Sequence, residues 1–198
     1  MAKHQIKNRW NDSVLFECEV PDDMASELRA RHALEKAVAS GANLAGANMA
    51  GANMAGANMA GAYLPSANMA GANMADANMA GAYLADANMA GANMAGAYLP
   101  GANMAGANMT GAKWRDGIVI NKHPIQLFGL HWRVTILDAH MQIGCELHTL
   151  ADWAAYDDAR IAQMDGREAL RFWRAHKDVL LGLAKSAGRG VDEVKEPA

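Results

Sequence analysis

From Ala42 onward the chain repeats every five residues: Ala, then Asn or Tyr, then Met or Leu, then a small residue or Pro, and in most units Gly. Fourteen units stay in phase, with centres at Leu44, Met49, Met54, Met59, Leu64, Met69, Met74, Met79, Leu84, Met89, Met94, Leu99, Met104 and Met109. Trp114 fills a fifteenth centre, with Ala112 two residues before it. A period of five fits neither the helical repeat of about 3.6 nor the strand repeat of about 2, and glycine penalises a continuous helix by about 1 kcal/mol at each occurrence. A chain that turns a corner in every unit does fit. Four such units close a square coil of twenty residues, and stacked coils pair their backbones at the roughly 4.8 Å spacing of strands.

On that coil each unit points two residues inward, the large centre and the Ala two before it. The Asn or Tyr and the last two residues of each unit face out. Flexible Met suits a narrow, repetitive interior, and the outer Asn side chains can stack in hydrogen-bonded ladders. Low-complexity disorder does not hold Ala and a large apolar residue in strict phase over so many units.

This pattern resembles the pentapeptide-repeat family, whose unit is Ala, then Asp or Asn, then Leu, then two variable residues. The resemblance covers residues 42–114 and implies a right-handed quadrilateral β-helix. Met replaces Leu at ten of the centres, and a thioether packs where an isobutyl group would.

The flanks read differently. In SVLFECEV (13–20), Val14, Phe16, Cys18 and Val20 alternate with Ser13, Leu15, Glu17 and Glu19, as in a half-buried strand. Pro21, Asp22 and Asp23 mark the start of a helix with Leu28, Leu34 and Val38 on its apolar side, and Gly41 ends it. An open β-helix end exposes strand edges and core, so this segment is expected to be a lid. After the repeats, GIVI (117–120), IQLFGL (125–130), HWRVTIL (131–137) and MQIGC (141–145) read as strands. A Thr149/Asp152 capping box opens a helix on LADWAAY, ARIAQM forms a second, and a third spans about 167–185 with Leu170, Trp173, Leu180 and Ala184 on one side. The expected fold is therefore mainly β: an N-terminal strand and capping helix (1–41), a pentapeptide-repeat β-helix (42–116), a small C-terminal α+β module (117–185) and a flexible tail (186–198). The stretch HWRVTILDAHMQIGCELHTLADW, with the earlier NRW and VLFE, resembles segments of uncharacterised phage-encoded proteins. That resemblance implies a phage or prophage origin.

With 198 residues, 52% of them apolar, there is material for a core, and a net charge of −3 gives no general pull toward nucleic acid or an anionic membrane. Two cysteines, Cys18 and Cys145, do not make a disulfide scaffold; the start MAKHQIKNRW has no apolar signal core, and no run approaches the length of a membrane span. The expected location is the cytoplasm, of the host if the protein is phage-encoded.

No convincing catalytic set emerges, and no cofactor is implied. Asp138, His140, Cys145 and His148 lie close in sequence and could bind metal, but a strand through 141–145 sends Cys145 to the face opposite His140. Burial of Cys145 in the module's core is the expected outcome, ahead of a Cys145/His148 nucleophilic pair. Arg167, Arg171 and Arg174, with Lys177, share one side of the last helix and could meet phosphates or an acidic partner. Residues 113–198 hold 12 basic and 12 acidic residues, so no wider basic field supports that stripe, and a solvated face accounts for it. No nucleotide-binding glycine loop is present, and no small-molecule substrate is indicated.

The irregular units give the clearest candidate surface. Tyr63 and Tyr83 are one coil apart on the first face, about 5 Å from one another by strand spacing, and Tyr98 lies on the fourth. Pro65 and Pro100 share those two faces. The two others show little but Asn, Ala and Gly. An aromatic patch on so plain a body is either a contact surface or a seat for another part of the same chain. The leading functional expectation is a non-enzymatic binding or scaffold protein with a protein partner or self-association. One alternative is inhibition of a DNA-handling enzyme such as gyrase by imitation of duplex DNA, since the family resemblance includes proteins of that kind. Residues 41–111 carry only Asp76 and Asp86 as charges, against one per about 1.7 Å along DNA. A second alternative is an enzyme within 117–185.

Overall fold

The outward residue of each repeat bridges, in parallel, the residue twenty positions on: Asn43 with Tyr63, Asn48 with Asn68, Asn53 with Asn73, Asn58 with Asn78, and so on to Asn93 with Lys113. The computed structural model describes residues 2–190 and divides the chain into two units, Met1–His123 and Pro124–Ala198. In the first unit each repeat hydrogen-bonds both up and down. Met74 N–H donates to the Asn93 carbonyl at 2.7 Å and Asn73 N–H to the Ala52 carbonyl at 3.0 Å. Corners are closed by bonds such as Ala72 N–H to the Met69 carbonyl, 3.0 Å, and the last residue of each unit has positive φ. Glycine fills most of these positions, while Ser66, Asp76 and Asp86 adopt φ of 56°, 56° and 57°. Positive φ at the second corner residue alone is the requirement of a type II turn, and Pro65 and Pro100 sit at the preceding position, where their fixed φ fits.

All fourteen centres are buried. Outside, Asn88 Nδ2 donates to Asn68 Oδ1 at 3.4 Å and Asn68 Nδ2 to Asn48 Oδ1 at 3.2 Å, forming the expected ladder. Each Oδ1 also accepts a backbone N–H two residues on, as from Ala70 to Asn68 at 3.3 Å.

Strands β1 (Ala2–Lys7) and β2 (Val14–Val20) form an antiparallel hairpin that pairs Ile6 with Phe16 and slips register between Ile6 and Lys7. Helix α1 (Ser26–Ala39) begins later than expected, because Met24 N–H bonds the Pro21 carbonyl in a turn first. Its buried side is Ala33, Leu34 and Ala37; Leu28 is exposed and Val38 half-buried, a correction to the expected stripe. Residues from this segment occupy positions that a coil before the first would fill. The Lys7 carbonyl accepts from Asn48 N–H at 2.8 Å, and the Glu35 carboxylate from Asn58 N–H at 3.0 Å. Arg31 donates to the Ala55 carbonyl at 2.8 Å.

At the other end of the repeats, β3 (Ala112–Lys113) pairs with β4 (Val119–Ile120) across a short 3-10 turn, Arg115–Gly117. The GIVI stretch thus pairs with the last repeat inside the first unit, where a C-terminal module starting at 117 was expected.

The second unit is an antiparallel meander, β5 (Ile125–Leu127), β6 (Val134–Ile136), β7 (His140–Ile143) and β8 (Glu146–Thr149), followed by α2 (Leu150–Ala155) and α3 (Asp158–Ser186). The capping box is present in full: Asp152 N–H donates to Thr149 Oγ1 at 3.0 Å, and the Asp152 carboxylate accepts from Thr149 N–H at 3.3 Å. The two helices expected after it are joined in α3 with a kink at Asp165 (φ −151°) and Gly166 (φ 59°). Val134, Met141, Trp153, Phe172, Trp173 and Leu180 belong to the core.

The tail expected to be flexible from residue 186 starts as ordered structure. Arg189 is only 5% exposed, pairs with the Asp138 carboxylate on the β6–β7 turn, and donates its backbone N–H to the Ala184 carbonyl at 2.8 Å. Residues 191–198 of that expectation lie outside the described residues.

Candidate interaction surface

Tyr63 and Tyr83 stand on successive coils of the first face, bridged through their backbones. Their rings stack at 5.3 Å between centroids, 14° from parallel. The stack follows from the coil: two aromatic residues at the same point of consecutive turns are held one strand spacing apart. Both remain open, at 48% and 40% exposure, whereas the core behind them, Leu64 and Leu84, is fully buried. Tyr98 bridges Asn78 on the fourth face and is half-buried.

The hairpin loop reaches the corner beside this face. Arg9 N–H donates to the Gly46 carbonyl at 2.8 Å, and Arg9 Nη1 to the Ser66 carbonyl at 3.1 Å. The Trp10 ring lies against Gly46 so closely that a Cβ there would come within 2.3 Å of it. Arg9 stacks over Trp10 at 5.3 Å, and Trp10 is itself 65% exposed. Trp, Arg and Tyr thus crowd one face and its corner, the residue types that dominate contact energetics at protein interfaces. Arg9 and Trp10 were not among the residues singled out from sequence. The available signal was the compact NRWND stretch before β2.

The possible metal or nucleophile set is not brought together. His140 pairs with Thr149, while Met141, on the opposite face, pairs with His148. His148 Nε2 lies 2.8 Å from Glu146 Oε2 and its ring meets Trp153 and Tyr156 edge-on. Asp138 is engaged by Arg189. Cys145 is exposed, a correction to its expected burial: Gly144, with φ 59°, makes it the second residue of the β7–β8 turn. Among the described residues no group of three His, Cys, Asp or Glu side chains is placed to hold a metal ion. Burial holds the His140 pKa below its ordinary value, and Asp152 opposes that shift.

On α3, Arg171 pairs with Glu168 at 3.1 Å and Arg174 with Asp158. Lys177 donates to the Ala154 carbonyl at 2.9 Å. Arg167 is exposed. Acidic neighbours therefore answer much of the basic stripe.

A family model for pentapeptide repeats matches residues 42–79 and 77–113, eight copies in all. The repeat segment belongs to the pentapeptide-repeat family. A right-handed β-helix is the fold this membership implies, in keeping with the parallel bridges at every twentieth residue. Comparison with solved structures finds HetL, a pentapeptide-repeat protein involved in heterocyst differentiation regulation from the cyanobacterium Nostoc sp. strain PCC 7120. It shows 28% identity over 39% of this chain and 42% of that one, with a TM-score of 0.15. A pentapeptide-repeat protein of the Arabidopsis thaliana thylakoid lumen matches at 24% identity over 39% of this chain and 68% of its own, with a TM-score of 0.25. The chain thus spans less than half of HetL. Comparison with curated proteins returns no match. Among the described residues no helix is long and apolar enough to cross a membrane.

Proposed function

We propose that this pentapeptide-repeat protein is a non-enzymatic binding scaffold that holds a protein partner, or a second copy of itself, through the face bearing Tyr63 and Tyr83. The observation that carries the reading is the exposed, parallel tyrosine stack on a body otherwise clothed in Asn, Ala and Gly. A stacked pair has already lost most of its rotamer freedom, so covering it costs little ordering entropy, and each ring brings a large amphipathic area. Arg9 and Trp10 extend the same surface at its corner. In this reading residues 1–41 close one end of the β-helix, and the C-terminal module offers a second contact along Arg167, Arg171 and Arg174. A phage or prophage origin and work in the host cytoplasm complete it, on the resemblance of the flanks.

Imitation of DNA is the poorer reading. Asp76 and Asp86 are the only charged residues in 41–111 and occupy different corner columns, so no line of negative charge runs along the coil.

The test is the double variant Tyr63→Asn, Tyr83→Asn. Asn already occupies the equivalent positions 43 and 103, so the coil is expected to form with the loss of only the ring stack, about 0.5–1.5 kcal/mol. Self-association in light scattering, or capture of a partner identified with the full-length chain, is expected to weaken. If oligomeric state, melting temperature and every captured partner are unchanged, the face has no role.

A further inference from the structure

Along the coil axis the first face presents Asn43, Tyr63, Tyr83 and Asn103 at intervals of one coil, an order that reads the same in both directions. The corner that closes the face is a column of Gly46, Ser66, Asp86 and Gly106, and opposite charges lie toward its two ends. Arg9 lies along the Gly46 and Ser66 end: its N–H donates to the Gly46 carbonyl at 2.8 Å and its Nη1 to the Ser66 carbonyl at 3.1 Å. Asp86, one coil beyond Ser66, leans the other way, toward Gly106, where a Cβ would strike Asp86 Oδ1. Both charged residues are exposed, and among the described residues neither has an ion-pair partner. The corner on the other side of the face, Gly41, Gly61, Gly81 and Gly101, carries no charge.

Two copies of one face meet about a two-fold axis that lies in the plane of contact, so that residue i touches j and j touches i. An axis running across the coils, midway between Tyr63 and Tyr83, sets the two β-helices antiparallel and keeps each corner on its own side. Tyr63 then faces Tyr83 of the second copy, Asn43 faces its Asn103, and Arg9, at the first and second coils, faces its Asp86, at the third and fourth. Every contact occurs twice. An axis running along the coils sets the β-helices parallel and lays the charged corner against the glycine corner, which leaves Arg9 and Asp86 unpaired. Charge complementarity therefore selects the antiparallel arrangement.

We propose that the chain forms an antiparallel two-fold dimer through this face, with the tyrosine stacks of two copies in contact and Arg9 of each paired with Asp86 of the other. The proposal rests on the tyrosine face being a contact surface and names its occupant as a second copy, because the order of residues and the placement of charge on this face complement themselves. The Arg9 guanidinium has donors beyond Nη1, so the pairing does not require it to leave the Ser66 carbonyl. Four coils span only about 20 Å, too little to bury the roughly 800 Å² that each partner gives to a standard interface. The dimer is therefore a weak one, and screening by salt loosens it further.

Sedimentation of the full-length chain over a concentration series measures the dimer. Arg9→Glu and Asp86→Lys are each expected to weaken it about tenfold, because each disrupts two symmetry-related pairs. An equimolar mixture of the two variants is expected to recover the natural affinity, since both pairs in the mixed dimer again join opposite charges. Recovery in the mixture upholds the proposal. Its absence overturns it, as does a natural protein that stays monomeric up to about 0.5 mM. Where Asp86→Lys does not fold at its positive φ, Arg9→Gln, Asp86→Asn and their combination replace the mixture: a double variant no weaker than either single upholds the pairing, and additive losses overturn it. The double variant Tyr63→Asn, Tyr83→Asn separates this proposal from the reading beneath it. A dimer lost there but kept in both charge variants overturns the two-fold pairing alone, whereas a dimer indifferent to the loss of both tyrosines overturns the contact face as well.

Discussion

The carboxylate of Glu35, on helix α1, accepts the backbone N–H of Asn58 at 3.0 Å. In every later coil the equivalent N–H bonds a carbonyl of the coil before it, as Asn78 does with Ala57 at 2.9 Å. The first coil has no predecessor, and a strand edge left open is both a lost hydrogen bond and a template for aggregation. A side chain from the helix completes the ladder in its place, steadied by Arg31, whose Nε lies 3.1 Å from the same oxygen. Glu35→Ala is expected to lower unfolding free energy by about 1 kcal/mol, and Glu35→Gln, which keeps an acceptor, by clearly less. Urea unfolding of the two variants checks the order, and equal losses would mean that the hydrogen bond is not the source.

Two corner glycines separate backbone strain from docking. Gly46 and Gly81 have similar φ, 70° and 64°, but a Cβ at Gly81 would meet nothing within 4 Å, whereas at Gly46 it would strike the Trp10 ring. Gly81→Ala is expected to cost about 1–2 kcal/mol from the left-handed conformation alone. Gly46→Ala should cost more and displace the hairpin loop. Hydrogen exchange gives the distinguishing readout: the amides of Arg9 and Asn48, which bond Gly46 and Lys7, should lose protection in Gly46→Ala and keep it in Gly81→Ala.

His140 makes stability depend on pH. Burial holds its pKa below the ordinary 6.5, so the unfolded chain takes up the proton first and stability falls as pH drops through that value. Replacing His140 by Gln is expected to flatten the fall in unfolding free energy between about pH 7.5 and about pH 5.5. A slope remains from His4, which burial and Arg29 shift in the same direction. Denaturant unfolding at several pH values measures both, and an unaltered slope in His140→Gln assigns the dependence elsewhere.

The repeat was legible because a strict period of five admits few backbones, and the same arithmetic sets Tyr83 one coil above Tyr63. Strand β1 was not, since Ile6 is its one large apolar residue and its pairing with β2 supplies what its pattern lacks. Cys145 was misplaced for a related reason: Gly144 takes a positive φ, which ends the strand at Ile143, two residues short of the expected end. Leu28 reads as a core residue on hydropathy, yet the buried side of α1 is made by Ala33, Leu34 and Ala37. Arg9 and Trp10 were invisible as surface partners because their position depends on the missing Cβ of Gly46, thirty-six residues beyond Trp10 in the chain.

The ion pair of Asp138 and Arg189 fastens the end of α3 to the β6–β7 turn, and its two halves should respond unequally to mutation. Arg189 is almost wholly buried, and burial lowers its pKa against the opposing pull of Asp138. The guanidinium is held in the interior by that carboxylate, and Gly190 N–H adds a bond to the Asp138 carbonyl at 3.3 Å. Asp138→Ala takes a carboxylate away from a buried guanidinium and is expected to be clearly destabilising. Arg189→Met removes the charge with its desolvation penalty and keeps an apolar stem of similar length, so its cost should be much smaller. The double variant should lie near Arg189→Met rather than at the sum of the two singles, because the loss in Asp138→Ala acts through the same pair. Urea unfolding of the three proteins, followed by tryptophan fluorescence, measures the cycle, and additive losses would show that the two side chains are not coupled.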